Sequence, residues 1–167
     1  MGSDHAGRQA EERRLLEQAR DDPARFAPLY ERYFRYVYAY CLRRVGRPEE
    51  AEDIASQVFT RALIGLDRYR GGSVVAWLFR IAHNAVANHL RDNRPQASLD
   101  AIHDVPLAPL AEAGDLALDR LIRSEEREHV ARLIAQLPDE QRELLTLKVA
   151  GGLSAREIGA IVGRSEG

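Results

Sequence analysis

Between Ser73 and Arg94 the chain reads SVVAWLFRIAHNAVANHLRDNR, and this stretch limits the possible folds more than any other. At 3.6 residues per turn, Val74, Leu78, Ile81, Ala82, Ala85 and His89 fall along one side, with Trp77 and Val86 at its edges. Arg80, Asn84, Ala87 and Arg91 form a second line, flanked by His83 and Asn88. A helix patterned in this way buries its first side against other elements. Long alternating patterns that would make strands are absent, so the chain is expected to be all-α. The second side carries guanidinium, amide and imidazole groups, with no carboxylate before Asp92. An ordinary solvated helix face mixes both charge signs. Guanidinium forks and amides are the groups that hold phosphates and read base edges, so this face points toward nucleic acid.

Composition narrows how such binding can work. The net charge is −2, which argues against a uniformly basic DNA-coating protein and requires local concentration of charge. From Arg61 to Arg94 there are six arginines against Asp67 and Asp92, a local excess of +4. The 167 residues suffice for one domain or two small ones. A single cysteine, Cys41, lies in an apolar helical pattern, excludes an internal disulfide and fits a reducing cytoplasm. No apolar run is long enough to span a bilayer, no secretory signal is present, and membrane insertion is not expected.

In chain order, residues 1 to about 9 read as disordered and Glu11 to Arg20 as a short charged helix, together an extension over 1–21. Asp22-Pro23 opens a helix expected to bury Phe26, Leu29, Tyr30, Tyr33, Val37, Cys41 and Val45, with Tyr36 and Tyr38 at an edge. Gly46 ends it. The next helix, Pro48 to Leu66, has Ala51, Ile54, Ala55, Val58, Phe59, Ala62, Leu63 and Leu66 on its apolar face. Glu49, Glu50, Glu52 and Asp53 crowd its first turns, where the helix dipole alone would favour them. DRYRGGS (67–73) is a basic, glycine-hinged loop holding an exposed aromatic, Tyr69, with Ser73 an N-cap for the helix that follows. Residues 95–114, with three prolines, read as an extended linker. Helical spacing returns from Asp115 to Leu137. A helix after Pro138 closes at Gly151-Gly152, and the capping box Ser154-x-x-Glu157 opens a short helix ending at Gly163. Helix, glycine turn and capped helix make the front of a helix-turn-helix, whose recognition helix would begin where the chain reaches Arg164-Ser165-Glu166-Gly167.

Three motifs now stand in order. AEDIASQVF (51–59) is similar to an A-E-D-x-x-Q-x-x-F pattern displaced by one residue; WLFRIAHN (77–84), with Arg91 after it, is close to W-L-x-x-I-A-x-N; and LIAQLPDEQRELLTLK (133–148) continues to GLSAREIGAIVGRSEG. With these, residues 22 to 167 resemble a bacterial sigma factor of the extracytoplasmic-function group, in the sigma-70 family. The resemblance implies two small helical domains. A region 2-like domain over 22–94 would bind core RNA polymerase and the minus-ten element, and a region 4-like helix-turn-helix domain over 115–167 would lack its recognition helix, as in a truncated chain.

The resemblance also implies residue roles. The helix with Glu49, Glu52, Asp53 and Gln57 would dock on the clamp helices of core polymerase. Arg68, Tyr69 and Arg70 of the loop, with Arg80, His83, Asn84, Asn88 and Arg91 of the organising helix, would engage the minus-ten element as its strands separate. Asn84 would contact base or backbone, Arg80 and Arg91 phosphates, and Tyr69 would border the base pocket. Arg156, Arg164 and Ser165 would touch phosphates upstream. Asn88 replaces the aspartate of many relatives and keeps hydrogen bonding without the charge. An anti-sigma factor is a further implied partner; no cofactor or metal is expected, and His83 and His89 lie on different helix faces. A regulator binding duplex DNA without polymerase would leave WLFRIAHN unexplained. An enzyme using His83 or His129 as a base lacks an accompanying nucleophile, metal set or phosphate loop.

Overall fold

The computed structural model describes residues 2–93, 133–134 and 136–163, and among these every regular element is helical. The 95–114 linker and the helical spacing expected from Asp115 to about 130 lie outside the described residues. Helix α1 spans Gly2–Asp21, so the segment expected to be disordered is helical from its second residue. Its anchor explains the difference. Leu16 and Ala19 are buried, and the buried Glu12 carboxylate accepts from Tyr33 Oη and, at 3.1 Å, from Arg32 Nη1. A docked final half supplies the nucleus from which a charged helix extends.

Asp22 caps the following turn through Ala24 N (3.1 Å), but proline 23 opens a 3-10 turn, Pro23–Phe26, and α2 begins only afterwards, Ala27–Val45. Leu29, Tyr33, Val37 and Cys41 are buried as the spacing predicts. Tyr30 is not: it is 40 % exposed and lies edge-on to Phe59, with ring centroids 5.0 Å apart. Tyr36, expected at an edge, is buried, and Tyr40 is fully so. Gly46 ends α2 at φ 74°, a left-handed conformation favoured by glycine.

Helix α3 spans Pro48–Ile64 and buries Ala51, Ile54, Ala55, Val58, Phe59 and Ala62 against α2 and α4. It stops two residues earlier than its pattern suggests. Gly65 breaks the register, and Leu66 is buried from a separate 3-10 turn, Leu66–Arg68. Ser73 Oγ accepts from Ala76 N at 3.1 Å and starts α4, Val74–Asp92, whose Val74, Leu78, Phe79, Ala82, Ala85 and Val86 enter the core. Each large apolar side chain of this kind contributes roughly 1.5–3 kcal/mol on burial, which fixes the rotation of α4 and therefore what its other side presents.

Two further helices follow, α5 (Asp139–Gly151) and α6 (Ala155–Val162). Gly152 turns the chain at φ 60°, and the Ser154–Glu157 capping box is formed in both directions. This pair rests on α2 and α4, and its Leu147, Leu153, Ile158 and Ile161 join the same core cluster.

Candidate functional site

With the apolar side of α4 locked inward, Arg80, Asn84, Asn88 and Arg91 are all exposed. Asn88 Oδ1 accepts from Arg91 Nη2 at 3.0 Å, one turn apart, which holds an amide and a guanidinium side by side. The Asn84 side chain makes no hydrogen bond to any described residue, leaving its donors and acceptor open to a ligand. Arg68 and Arg70 are exposed on the preceding loop. The loop itself is pinned: Arg20 Nη2 donates to Leu66 O at 3.3 Å, and Arg20 lies 3.9 Å from Asp67. Helix α1 thereby sets the position of the basic loop.

Tyr69 departs from expectation. It is 9 % exposed rather than presented to solvent, its hydroxyl donates to Gly72 O at 2.7 Å, and its ring packs on Trp77 at 5.3 Å. A phenol that can satisfy its hydroxyl within the loop and bury its ring gains both apolar contact and a hydrogen bond, so it anchors the loop. Trp77 is half-buried beside it.

His83 is also partly covered. Its Nδ1 lies 2.8 Å from Glu143 Oε1 of α5, and the same oxygen accepts from Tyr40 Oη at 2.6 Å. Arg44 Nη2 stands 3.6 Å from the other carboxylate oxygen. Burial alone would raise the Glu143 pKa, but the bonds from His83 and Tyr40 and the charge of Arg44 together hold it below the ordinary carboxylate value. Burial first, then the Glu143 charge, pushes the Tyr40 phenol well up. Arg80 reaches Ala160 O of α6 at 3.5 Å, the outer limit of a hydrogen bond.

A second surface lies on α3. Glu49, Glu52, Asp53 and Gln57 are all exposed, and Asp53 and Gln57 line a shallow open groove with Ser56, Thr60 and Arg61. Glu50 behaves differently from its acidic neighbours. Its carboxylate bonds His89 Nε2 at 2.8 Å and Arg47 Nη1 at 2.7 Å, and these two bonds lower its pKa. It braces α3 against α4, while the other carboxylates face outward. Arg156 is exposed on α6; Arg164 and Ser165 lie outside the described residues.

Tyr40, Arg44 and Glu143 were not apparent as a site in the sequence. The available signal was faint: Glu143 lies one turn before Leu147, and Tyr40 falls between Val37 and Cys41 on the inward side of α2.

The sigma-70 region 2 family matches residues 29–96 and the sigma-70 region 4 family matches residues 127–167. The ECF RNA polymerase sigma factor BldN of Streptomyces coelicolor is 33 % identical over 92 % of this chain, which spans 58 % of BldN. SigW of Bacillus subtilis, an ECF RNA polymerase sigma factor, is 30 % identical over 90 % of this chain and 83 % of its own length. The RNA polymerase sigma-H factor of Pseudomonas aeruginosa is 32 % identical, with 92 % and 83 % covered. Among solved structures, CnrH in complex with the cytosolic domain of CnrY superposes with a TM-score of 0.61 over 92 % of this chain and 83 % of that one, at 23 % identity, a likeness of fold. Two family matches in order, and relatives at this identity across most of their length, establish that the chain belongs to the sigma-70 family of RNA polymerase sigma factors, in the extracytoplasmic-function group.

Proposed function

We propose that this sigma factor grips the clamp helices of core RNA polymerase through the outward carboxylates and amide of α3, namely Glu49, Glu52, Asp53 and Gln57. Its α4 face and the 68–73 loop then capture the minus-ten element as the strands separate. The observation that carries this reading is the sidedness of α4: its apolar side is locked in the core, while Arg80, Asn84, Asn88 and Arg91 stand together on the surface. Exposed carboxylates suit a partner rich in arginine, where bidentate pairing orients as well as attracts. Extruding a base costs a few kcal/mol, which stacking and polar contacts at the α4 face would offset. Arg80 and Arg91 hold phosphates, Asn84 contacts base or backbone, and Arg68, Arg70, His83 and Asn88 flank them. The buried Tyr69 shapes the loop from beneath and borders the base pocket as its wall. Arg156, Arg164 and Ser165 approach upstream phosphates.

In this role the sigma factor carries no active site of its own, and catalysis stays in the polymerase. Residues 22–94 act as the core-binding and promoter-melting unit, 95–114 as linker and 115–167 as the helix-turn-helix unit, in the cytoplasm. Among the described residues no helix is long and apolar enough to cross a membrane. CnrH was solved with the cytosolic domain of a second protein, CnrY. An anti-sigma factor is the corresponding partner proposed for this chain.

Promoter-dependent run-off transcription with added core enzyme tests the proposal. Asp53→Arg should lower core affinity about tenfold, equivalent to about 1.4 kcal/mol. A chain that binds no core polymerase at all would sink the reading, and unchanged affinity in Asp53→Arg would return the α3 carboxylates to simple dipole compensation.

A further inference from the structure

The outer half of the loop that carries Arg68 and Arg70 has little to hold it. Gly71 and Gly72 both stand at φ 92°, a left-handed conformation, and a Cβ at either would meet nothing within 4 Å. Placement comes from the other end, at the turn Leu66–Arg68. Burial of Leu66 and Tyr69 seats this end, but apolar contact is non-directional and leaves its orientation open. A hydrogen bond has direction. The Leu66 carbonyl closes the turn by accepting from Tyr69 N at 3.1 Å, and its other lone pair receives Arg20 Nη2 of α1 at 3.3 Å. The carbonyl therefore keeps a backbone partner without Arg20, and the turn can form in its absence. The Arg20–Asp67 pair adds little, because it is 3.9 Å long and the Asp67 side chain is 94 % exposed. What Arg20 supplies is a fixed orientation of the loop against α1. That helix is a firm base: Leu16 and Ala19 are buried, and the buried Glu12 accepts from Tyr33 and Arg32.

We infer that Arg20 is a positioning residue for promoter recognition: through Leu66 O it fixes how the loop presents Arg68 and Arg70 beside α4, so that discrimination among unpaired strands depends on α1. This rests on the proposed role of the loop and the α4 face in capturing the minus-ten element. The Arg20 guanidinium is itself committed to Leu66 O and Asp67, so it acts through the loop and not on phosphate. The distinction has a consequence. A charged contact with the backbone favours every strand alike, whereas placement of the loop decides which bases can be received. Loosening the tether should therefore weaken a matched strand and spare a mismatched one.

The single tryptophan of the chain, Trp77, packs on Tyr69 at 5.3 Å and reports on the loop directly. In the full chain without polymerase, Arg20→Met, which keeps the stem but no donor, should red-shift Trp77 emission and ease acrylamide quenching, with the thermal midpoint unchanged. Recognition is read with the chain assembled on core RNA polymerase. The probe is the single-stranded DNA that this complex enriches from a random-sequence pool, beside a base-shuffled strand of equal length and composition. Arg20→Met should weaken the enriched strand about fivefold, equivalent to one net hydrogen bond, and leave the shuffled strand and the slope of log affinity against log salt unchanged. The same loss should appear in an Asp67→Asn background, since the carbonyl bond and not the ion pair is at stake. Equal loss on both strands, with the slope reduced by about 0.7, would make Arg20 a phosphate contact and overturn the inference. So would a loss that vanishes beside Asp67→Asn, or a lowered thermal midpoint with selectivity intact. Should Arg20→Met fold poorly, Gly71→Ala strains the same loop at φ 92° without a steric clash. The same selective loss is expected there, and unchanged selectivity overturns the inference too. If the complex enriches no strand, the minus-ten reading itself fails; if it enriches one that Arg20→Met binds as tightly as the parent does, only the role of Arg20 falls.

Discussion

Asn84 and Tyr69 divide the residue-scale logic of the site between them. Asn84 is exposed with its amide uncommitted among the described residues, so removing it should cost function without cost to the fold. Asn84→Ala is expected to slow open-complex formation about tenfold, or about 1.4 kcal/mol of activation free energy, with core affinity and thermal midpoint unchanged. Stopped-flow promoter opening beside a core-binding titration checks this, and equal losses in both would make Asn84 structural. Tyr69 is the reverse case. Its hydroxyl serves Gly72 O, so Tyr69→Phe should destabilise the fold by about 1 kcal/mol in chemical denaturation, a typical net value for one hydrogen bond. Cys41 gives a third residue-scale prediction. Burial pushes its thiol up to about 12, so the native chain should resist alkylation at mildly alkaline pH and react only on unfolding.

At the scale of elements, the caps carry much of the local definition. Ser73 joins the basic loop to α4 with one side-chain bond to Ala76 N, whereas Ser154 and Glu157 close a reciprocal box at the start of α6. Ser73→Ala should cost about 1 kcal/mol and loosen the loop with it. Hydrogen exchange should then rise at the first turn of α4 and remain unchanged in α6; a rise in α6 instead would contradict this division. Helix α3 shows how similar residues at one terminus separate by role. Glu50 is tied to Arg47 and His89, whereas Glu49, Glu52 and Asp53 face solvent. Their shared place near the positive end of the dipole does not distinguish them; the neighbouring helix does.

For the whole molecule, the contact centred on Glu143 joins α5 to both α2 and α4. Its folded-state pKa lies below the ordinary value of 4.5, held there against burial by His83, Tyr40 and Arg44. The sign follows from linkage: the stabilising contribution is fully present above the unfolded value and is lost as pH falls through the lower folded value. Acidification below about 4.5 should therefore open the α5 contact, seen as falling energy transfer between α2 and α6 labels, and Glu143→Gln should abolish that acid limb. An acid transition identical in the variant would place its cause in another carboxylate, such as Glu50, which His89 and Arg47 also hold below the ordinary value.

Much of this architecture was legible in the chain itself. Apolar spacing marked the buried faces of α2, α3 and α4, while Gly46 marked the end of α2, Ser73 the start of α4, Gly152 the end of α5 and the Ser154–Glu157 box the start of α6, because capping and helical periodicity act within a few residues. The same locality explains what was missed. The first half of α1 is sustained by the docking of Leu16 and by Glu12 bonds to residues 20 and 21 positions away, which its own composition does not encode. Tyr69 resembled an exposed loop aromatic until Trp77 and Gly72 came against it. Sequence by itself determined the helices from α2 onward and the sidedness of α4. Tertiary structure alone decided that Glu143 meets Tyr40 and His83, 103 and 60 residues apart, since a carboxylate on a helix has the same local pattern whether water or a ring of donors receives it.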